Sequence, residues 1–487
     1  MTFDLRARPA PWCAGILLLG AFFACQDPSP KNRAPTILTT PPPAATTYQP
    51  YTYEAACADP DGDLVTLGLG PGDTCGGAIQ DHGNRQATYS FTPGADVSSC
   101  MLSVRCSDSE GSEALQEVAL EVLPARDVTD LVFETLALWD EPLADYHAQA
   151  TAALGHRNFL HGIHDLALWQ DRLYLGYGDA NINIGRLVPI NVRAYTRPEP
   201  GAFADELVTD EEQISHFRVS GDRLVVPGVD ATEDGLLGNV YTLDATGWTK
   251  RRSLQWAWHV HDVAHLDGAL YAVGSGGSME DYNQSTVRAF LWQSVGDEPF
   301  SVFSSLEHPA PPGDHRLTNL LVVDGTLHAF GYYSSEGVSY GLRYRLVSGA
   351  LEPWSELEDF FVFSTQSLGE AAGLVIGVNI GSSLTWGARL VTQGGASQIP
   401  ALGGMTVLDA FPLPEGRALL LATAGDAYPT PPAGPHEITV WVLGPDAALH
   451  LVLQETLEDL PLSAAFWQRS VYVGMEDGRL LRSDGVL

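Results

Sequence analysis

The sequence predicts an all-β protein in two parts, a small disulfide-tied β-sandwich followed by a seven-bladed β-propeller. Three observations carry this prediction. Four cysteines, Cys57, Cys75, Cys100 and Cys106, fall within one run of short strand-like segments. Two near-copies share a polar head, an apolar strand, a tight turn and a second strand ending in glycine: His161-Gly-Ile-His164-Asp165-Leu-Ala-Leu-Trp-Gln-Asp-Arg-Leu173-Tyr174-Leu-Gly176 and His259-Val-His261-Asp262-Val-Ala-His-Leu-Asp-Gly-Ala-Leu270-Tyr271-Ala-Val-Gly274. Weaker versions of that unit recur down the chain, and repetition at a near-constant period marks a propeller or solenoid.

The sandwich is assigned to residues 34–124, where strand-like runs alternate with turn residues. Period-two alternation places Tyr53, Ala55 and Cys57 on one face, and Leu102, Val104 and Cys106 on one face. Cys57 and Cys106 can therefore enter the same core, which favours a bridge between the sheets. Cys75 and Cys100 remain as the second pair, although four cysteines allow three connectivities. The close Cys-x-x-Cys spacing of thiolate metal sites is absent.

The strings Ala34-Pro-Thr-Ile, Gln49-Pro-Tyr-Thr-Tyr, Asp59-Pro-Asp61-Gly62-Asp63, Tyr89-Ser-Phe-Thr-Pro93 and Val104-Arg-Cys-Ser-Asp108-Ser-Glu-Gly111 resemble the bacterial Ig-like and dystroglycan-type cadherin-like repeats over about 90 residues. The resemblance implies an extracellular spacer or adhesive module and, in some relatives, calcium at carboxylate-rich turns. This copy departs by carrying cysteines where such repeats have Thr or Ala. Asp59, Asp61 and Asp63 alternate and could converge on calcium, a hard cation that takes six to eight oxygens. A polar turn between strands is the plainer reading of the same residues.

The propeller is assigned to residues 130–487. Its register marks, the first apolar residue of each second strand, are Leu173, Leu224, Leu270, Leu327, Leu374, Leu419 and Val471, spaced 45 to 57 residues apart. That spacing suits four-stranded blades, and seven marks give seven blades. The last unit ends at Leu487 without an outer strand. An otherwise partnerless strand at 131–138 would supply it, closing the ring and removing exposed edges. The Trp-Asp and kelch repeat patterns are missing, so the propeller is assigned to no family.

At the N-terminus, Arg6 and Arg8, the apolar run 13–24 and then Cys25 resemble a bacterial lipoprotein signal. The resemblance implies a signal over residues 1–24, a lipid on Cys25 and a tether over 25–33. Phe22 and Phe23 depart from the usual box, which keeps an ordinary secretory signal open. Either signal exports the chain, and an even set of cysteines agrees. The expected address is the cell envelope, with the lipid in the outer membrane or at the cell surface. The 26 basic residues against 60 acidic ones give a formal charge of −34, which repels phosphate backbones and excludes nucleic acid as a partner.

The chain has no GxSxG, HExxH or GxxxxGK motif. What remains is the polar head of each repeat: His164, Asp165, His216, His261, Asp262, Asn319, Gln366 and Asp409. These residues precede innermost strands and should face the central channel. Three roles are open to them. They can tie neighbouring blades together, hold a ligand or divalent metal, or supply acid and base groups through His164, Asp165, His261 and Asp262. Repetition from blade to blade favours the first role. The function expected is a monomeric, non-catalytic recognition platform for an envelope protein or glycan, with an exported hydrolase or lyase as the alternative.

Overall fold

The computed structural model describes residues 32–486 apart from 47–50, 92, 94–96, 124–127, 221, 234, 278–286, 307–312, 380–384, 400–401, 403–404 and 425–433. The expected signal, Cys25 and most of the tether lie outside the described residues. Two compact units divide the chain, residues 1–125 and 126–487.

In the first unit, strands Thr36–Ile37, Tyr51–Ala58, Gln86–Phe91 and Ala78–Asp81 form one sheet, in that order. Ala44–Thr46, Glu113–Leu123, Ser99–Asp108 and Val65–Leu69 form a second. Alternation puts Tyr53, Ala55 and Cys57 of the first sheet and Leu102, Val104 and Cys106 of the second into one shared core. Cys57–Cys106 bridges the sheets, the pair that strand alternation suggested, and Cys75–Cys100, the pair left by elimination, ties a loop to the second sheet. Such bonds belong to an oxidising, extracytoplasmic environment. Among the described residues, no helix is long and apolar enough to cross a membrane.

The second unit is a ring of seven antiparallel sheets, six of them four-stranded and built in chain order and the seventh completed by strands from the start of the unit. The innermost strands of blades 1 to 7 are Asp165–Trp169, Arg218–Ser220, Ala257–Leu266, Asp314–Val323, Phe360–Ser367, Met405–Leu413 and Pro461–Trp467. In blade 7 the outer strand is Ala137–Asp140, which pairs with Leu480–Val486; Val132–Phe133 pairs with the same strand further along. The inner strand of blade 1 lies against that of blade 7, so the ring is closed. Helix Ala144–Leu154, not foreseen in the sequence, packs Tyr146 and Ala150 into the main core.

The inner strands of blades 3 to 7 share a local irregularity. Pairing skips one residue between Val260 and Asp262, Leu317 and Asn319, Val362 and Ser364, Val407 and Asp409, and Pro461 and Ser463. His261, Thr318, Phe363, Leu408 and Leu462 are therefore bulged residues, and a bulge re-aims its side chain. The bulge also explains a glycine within the second strand of blades 3 to 5. A Cβ on Gly274, Gly331 or Gly377 would come within 2.0, 1.9 and 1.9 Å of the carbonyl oxygen of His259, Arg316 and Phe361. Only a residue without a side chain fits beneath that carbonyl.

Candidate functional site

The residue that follows each bulge forms a polar collar around the channel. Two of these residues, Asp262 and Asp409, are carboxylates, and together with Asp165 of blade 1, whose inner strand pairs without a bulge, each accepts a backbone N–H from the next blade. Phe217 N donates to Asp165 at 2.7 Å, Leu320 N to Asp262 at 2.7 Å, and Ala464 N to Asp409 at 2.8 Å. Hydroxyl groups make the equivalent ties elsewhere: Thr365 donates to Leu320 O at 2.7 Å, and Ser463 to Ile163 O at 2.8 Å. Buried backbone groups need such partners, so the collar links blades 1 to 2, 3 to 4, 4 to 5, 6 to 7 and 7 to 1.

Asp262 is the electrostatic centre of the collar. Its carboxylate is fully buried and receives His216 Nε2 at 3.0 Å together with Arg218 Nε and Nη2 at 2.8 and 2.7 Å. Burial alone would raise this acid, but the charges of Arg218 and His216 outweigh it and hold Asp262 well below the usual carboxylate range. Arg218 then reaches across the axis, donating from Nη1 to Thr365 O at 2.7 Å and from Nη2 to Thr365 Oγ1 at 3.0 Å. One guanidinium thus joins blades 2, 3 and 5.

The other two collar acids lie in a different environment. Burial, reinforced by nearby Asp409, pushes the Asp165 carboxyl up to about 7. Burial pushes Asp409 up to about 6. His261 is pulled down to about 3 by burial first, then by His259 and Arg316, and is therefore neutral. Its Nε2 lies 3.4 Å from Ser275 Oγ, and its ring stacks on His259 with centroids 5.6 Å apart. His164 donates from Nε2 to Gly178 O at 3.0 Å, and Asn319 Oδ1 accepts from Thr318 Oγ1 at 2.9 Å.

Gln366 does not join this set. The turn after its strand spans 368–371, against 267–268 in blade 3, so counting back from Leu374 lands beyond the bulge. Ser364 is the residue after the bulge in blade 5, and Gln366 donates to Ser367 O at 3.3 Å. Arg218 and Thr365 were not singled out in the sequence. The available signal was that blade 2 carries Arg218, two residues after His216, in a head without a carboxylate.

The Asp59 turn uses its oxygens internally. Asp59 Oδ1 accepts Asp61 N at 2.7 Å and Asp63 N at 3.2 Å, while Asp61 forms an ion pair with Arg33 at 2.7 Å. Asp108 builds a twin turn, accepting Glu110 N and Ser112 N at 2.9 and 2.8 Å. Gly62 and Gly111, with φ of 89° and 91°, supply the left-handed step in each. Asp59 Oδ2 and Asn32 Oδ1 are buried with no donor. Among the described residues, no three His, Cys, Asp or Glu side chains are grouped to hold a metal ion.

A cleft opens between blades 4 and 5, with a cavity volume of about 440 Å³. Two of the bulged residues, Thr318 and Phe363, line it beside Asp314 and Tyr332. Each lies next to a collar residue in sequence, so the same irregularity that builds the collar aims these two side chains into the cleft.

No protein-family model and no curated protein match this chain. Among solved structures, the chain is similar to the β-propeller domain of the Trilobed protease from Pyrococcus furiosus, with 12% identity, coverage of 67% of this chain and 98% of that one, and a TM-score of 0.42. It is also similar to virginiamycin B lyase from Staphylococcus aureus, with 10% identity, 67% and 98% coverage, and a TM-score of 0.40. BamB from Moraxella catarrhalis matches with 12% identity, 66% and 83% coverage, and a TM-score of 0.31. The strand order and ring closure define the fold without these likenesses, whose scores carry nothing about activity.

Proposed function

We propose that this protein is an envelope lipoprotein whose propeller is a non-catalytic recognition platform for an envelope protein or glycan. The observation that carries this reading is the cleft between blades 4 and 5, a mixed polar and aromatic cavity on a rigid scaffold. Sites of this volume, built on rigid elements, are the usual seats of ligand binding. In the proposal, a lipid on Cys25 and an Ig-like or cadherin-like sandwich serve as anchor and spacer, and the chain acts as a monomer. The platform needs neither calcium nor a transition metal.

The alternative, a hydrolase or lyase built on His164, Asp165, His261 and Asp262, would require acid and base groups available to a substrate. Asp165 and Asp262 are instead engaged by neighbouring backbone amides, Asp262 by Arg218 as well, and His164 by a carbonyl. The test is titration of the labelled chain against isolated envelope membranes, cell-wall glycans and secreted proteins. Saturable binding to one fraction supports the platform. Absence of binding to all three, or turnover of a bound fraction, overturns it.

A further inference from the structure

We propose that the cleft between blades 4 and 5 is a carbohydrate subsite that takes a neutral glycan chain. This rests on the platform reading and names the ligand class. The first observation is a ladder of aromatic faces. Tyr332 stacks on Phe361 with centroids 6.0 Å apart and an interplanar angle of 28°, and Phe361 meets Phe363 at 4.9 Å and 38°. Phe363 in turn stacks on Trp386 at 5.2 Å and 25°. These rings come from the second strand of blade 4 and the first and third strands of blade 5. They pack against one another, and the part of Phe363 that stays exposed is apolar surface offered to the cleft.

The exposure of Phe363 is the second observation. It is 39% exposed, although blades 4 and 5 have well-filled cores. The bulge at Val362/Ser364 displaces it from the regular pairing, and it packs on Phe361 and Trp386 while part of its ring stays open to the cleft.

The polar lining selects the ligand. Asp314, Thr318, Ser334 and Ser339 border the aromatic faces. A pyranose has apolar C–H faces that lie on aromatic rings, and hydroxyl edges that donate to a carboxylate and exchange hydrogen bonds with hydroxyls. Asp314 is paired with Arg316 at 3.4 Å and Ser339 with Ser334 at 3.2 Å, and a purely aliphatic ligand would desolvate these groups without giving them further partners. Among the described residues the cleft lining holds one charged side chain, Asp314, which pairs with Arg316, and the chain carries a formal charge of −34. Sulfated or uronic-acid glycans are repelled, so the glycan is neutral.

The experiment is isothermal titration of the whole chain with cellohexaose and with chitohexaose, two neutral β-1,4-linked hexasaccharides. At least one should bind saturably at one site. Phe363→Ala should weaken that binding tenfold or more with an unchanged melting temperature, and Asp314→Asn, a conservative change, should weaken it several-fold. No heat with either glycan, or binding unaffected by both variants, would overturn the proposal. The platform reading fails separately: if envelope material binds saturably but neither hexasaccharide binds or competes, only the glycan assignment is lost.

Discussion

Replacing Asp262 by alanine would strand Arg218 at the centre of the propeller. The carboxylate is fully buried and accepts from His216, Arg218, Val263 N and Leu320 N, while the Arg218 side chain is 16% exposed. Breaking a buried ion pair by removing one partner costs about 3–5 kcal/mol, and the slight exposure of Arg218 puts this case near the lower end, at about 3 kcal/mol. The assay is urea denaturation followed by tryptophan fluorescence, read on the propeller transition. The double variant Asp262→Ala/Arg218→Met should recover most of the loss, because the orphaned charge is then gone. Acid titration gives a second signature. The Asp262 acid is depressed in the folded state, so its contribution is present above the ordinary carboxylate pKa of about 4 and is lost as pH falls towards its folded value. An Asp262→Ala variant within about 0.5 kcal/mol of the parent chain, the range of ordinary surface changes, would refute the reasoning.

Glu211 shifts in the opposite direction. It is fully buried, accepts Asn239 Nδ2 at 2.6 Å and Tyr241 OH at 3.1 Å, and is pushed by burial to about 8. The folded state therefore holds a proton that the unfolded chain releases near 4.3, so stability should fall as pH rises through 8; Glu211→Gln should flatten that decline in melts recorded from pH 5 to 9. Gly331→Ala places a Cβ 1.9 Å from Arg316 O and should cost about 2–3 kcal/mol in denaturant unfolding, whereas alanine at solvent-facing Gly349 should cost about 1 kcal/mol through its φ of 83° alone. Chelation should leave the melting of the sandwich unchanged, because Asp59 and Asp61 are committed to backbone amides and Arg33. A chelator-sensitive melt would assign a cation to Asp59 Oδ2 and Asn32 Oδ1.

Much of the fold was legible because a single local device is repeated. In blades 3 to 5 the bulge demands a glycine opposite it, Gly274, Gly331 and Gly377, so the sequence signal recurs with the geometry there, whereas blades 6 and 7 carry Ala422 and Met475 at that place. Strand alternation was equally direct, since one period fixed the faces of both Cys57 and Cys106. The site was less legible for three physical reasons. Turn length varies between blades, which displaced Gln366 from the collar. The contact between Arg218 and Thr365 joins residues 147 positions apart, and no local pattern encodes a bond across the axis. The aromatic ladder draws on two blades, so Tyr332, Phe361, Phe363 and Trp386 look like ordinary strand residues until the sheets stand side by side. At the Asp59 turn the alternating carboxylates were visible, but the amides that occupy them were not.

The central claim is that the collar holds the ring together while the cleft does the binding. The most direct test is to measure melting temperature and envelope binding side by side for the parent chain and for His164→Ala/His261→Ala. The account predicts a lower melting temperature with an unchanged dissociation constant. An unchanged melting temperature with lost binding, or with loss of a detectable turnover, would contradict it and move the function to the channel.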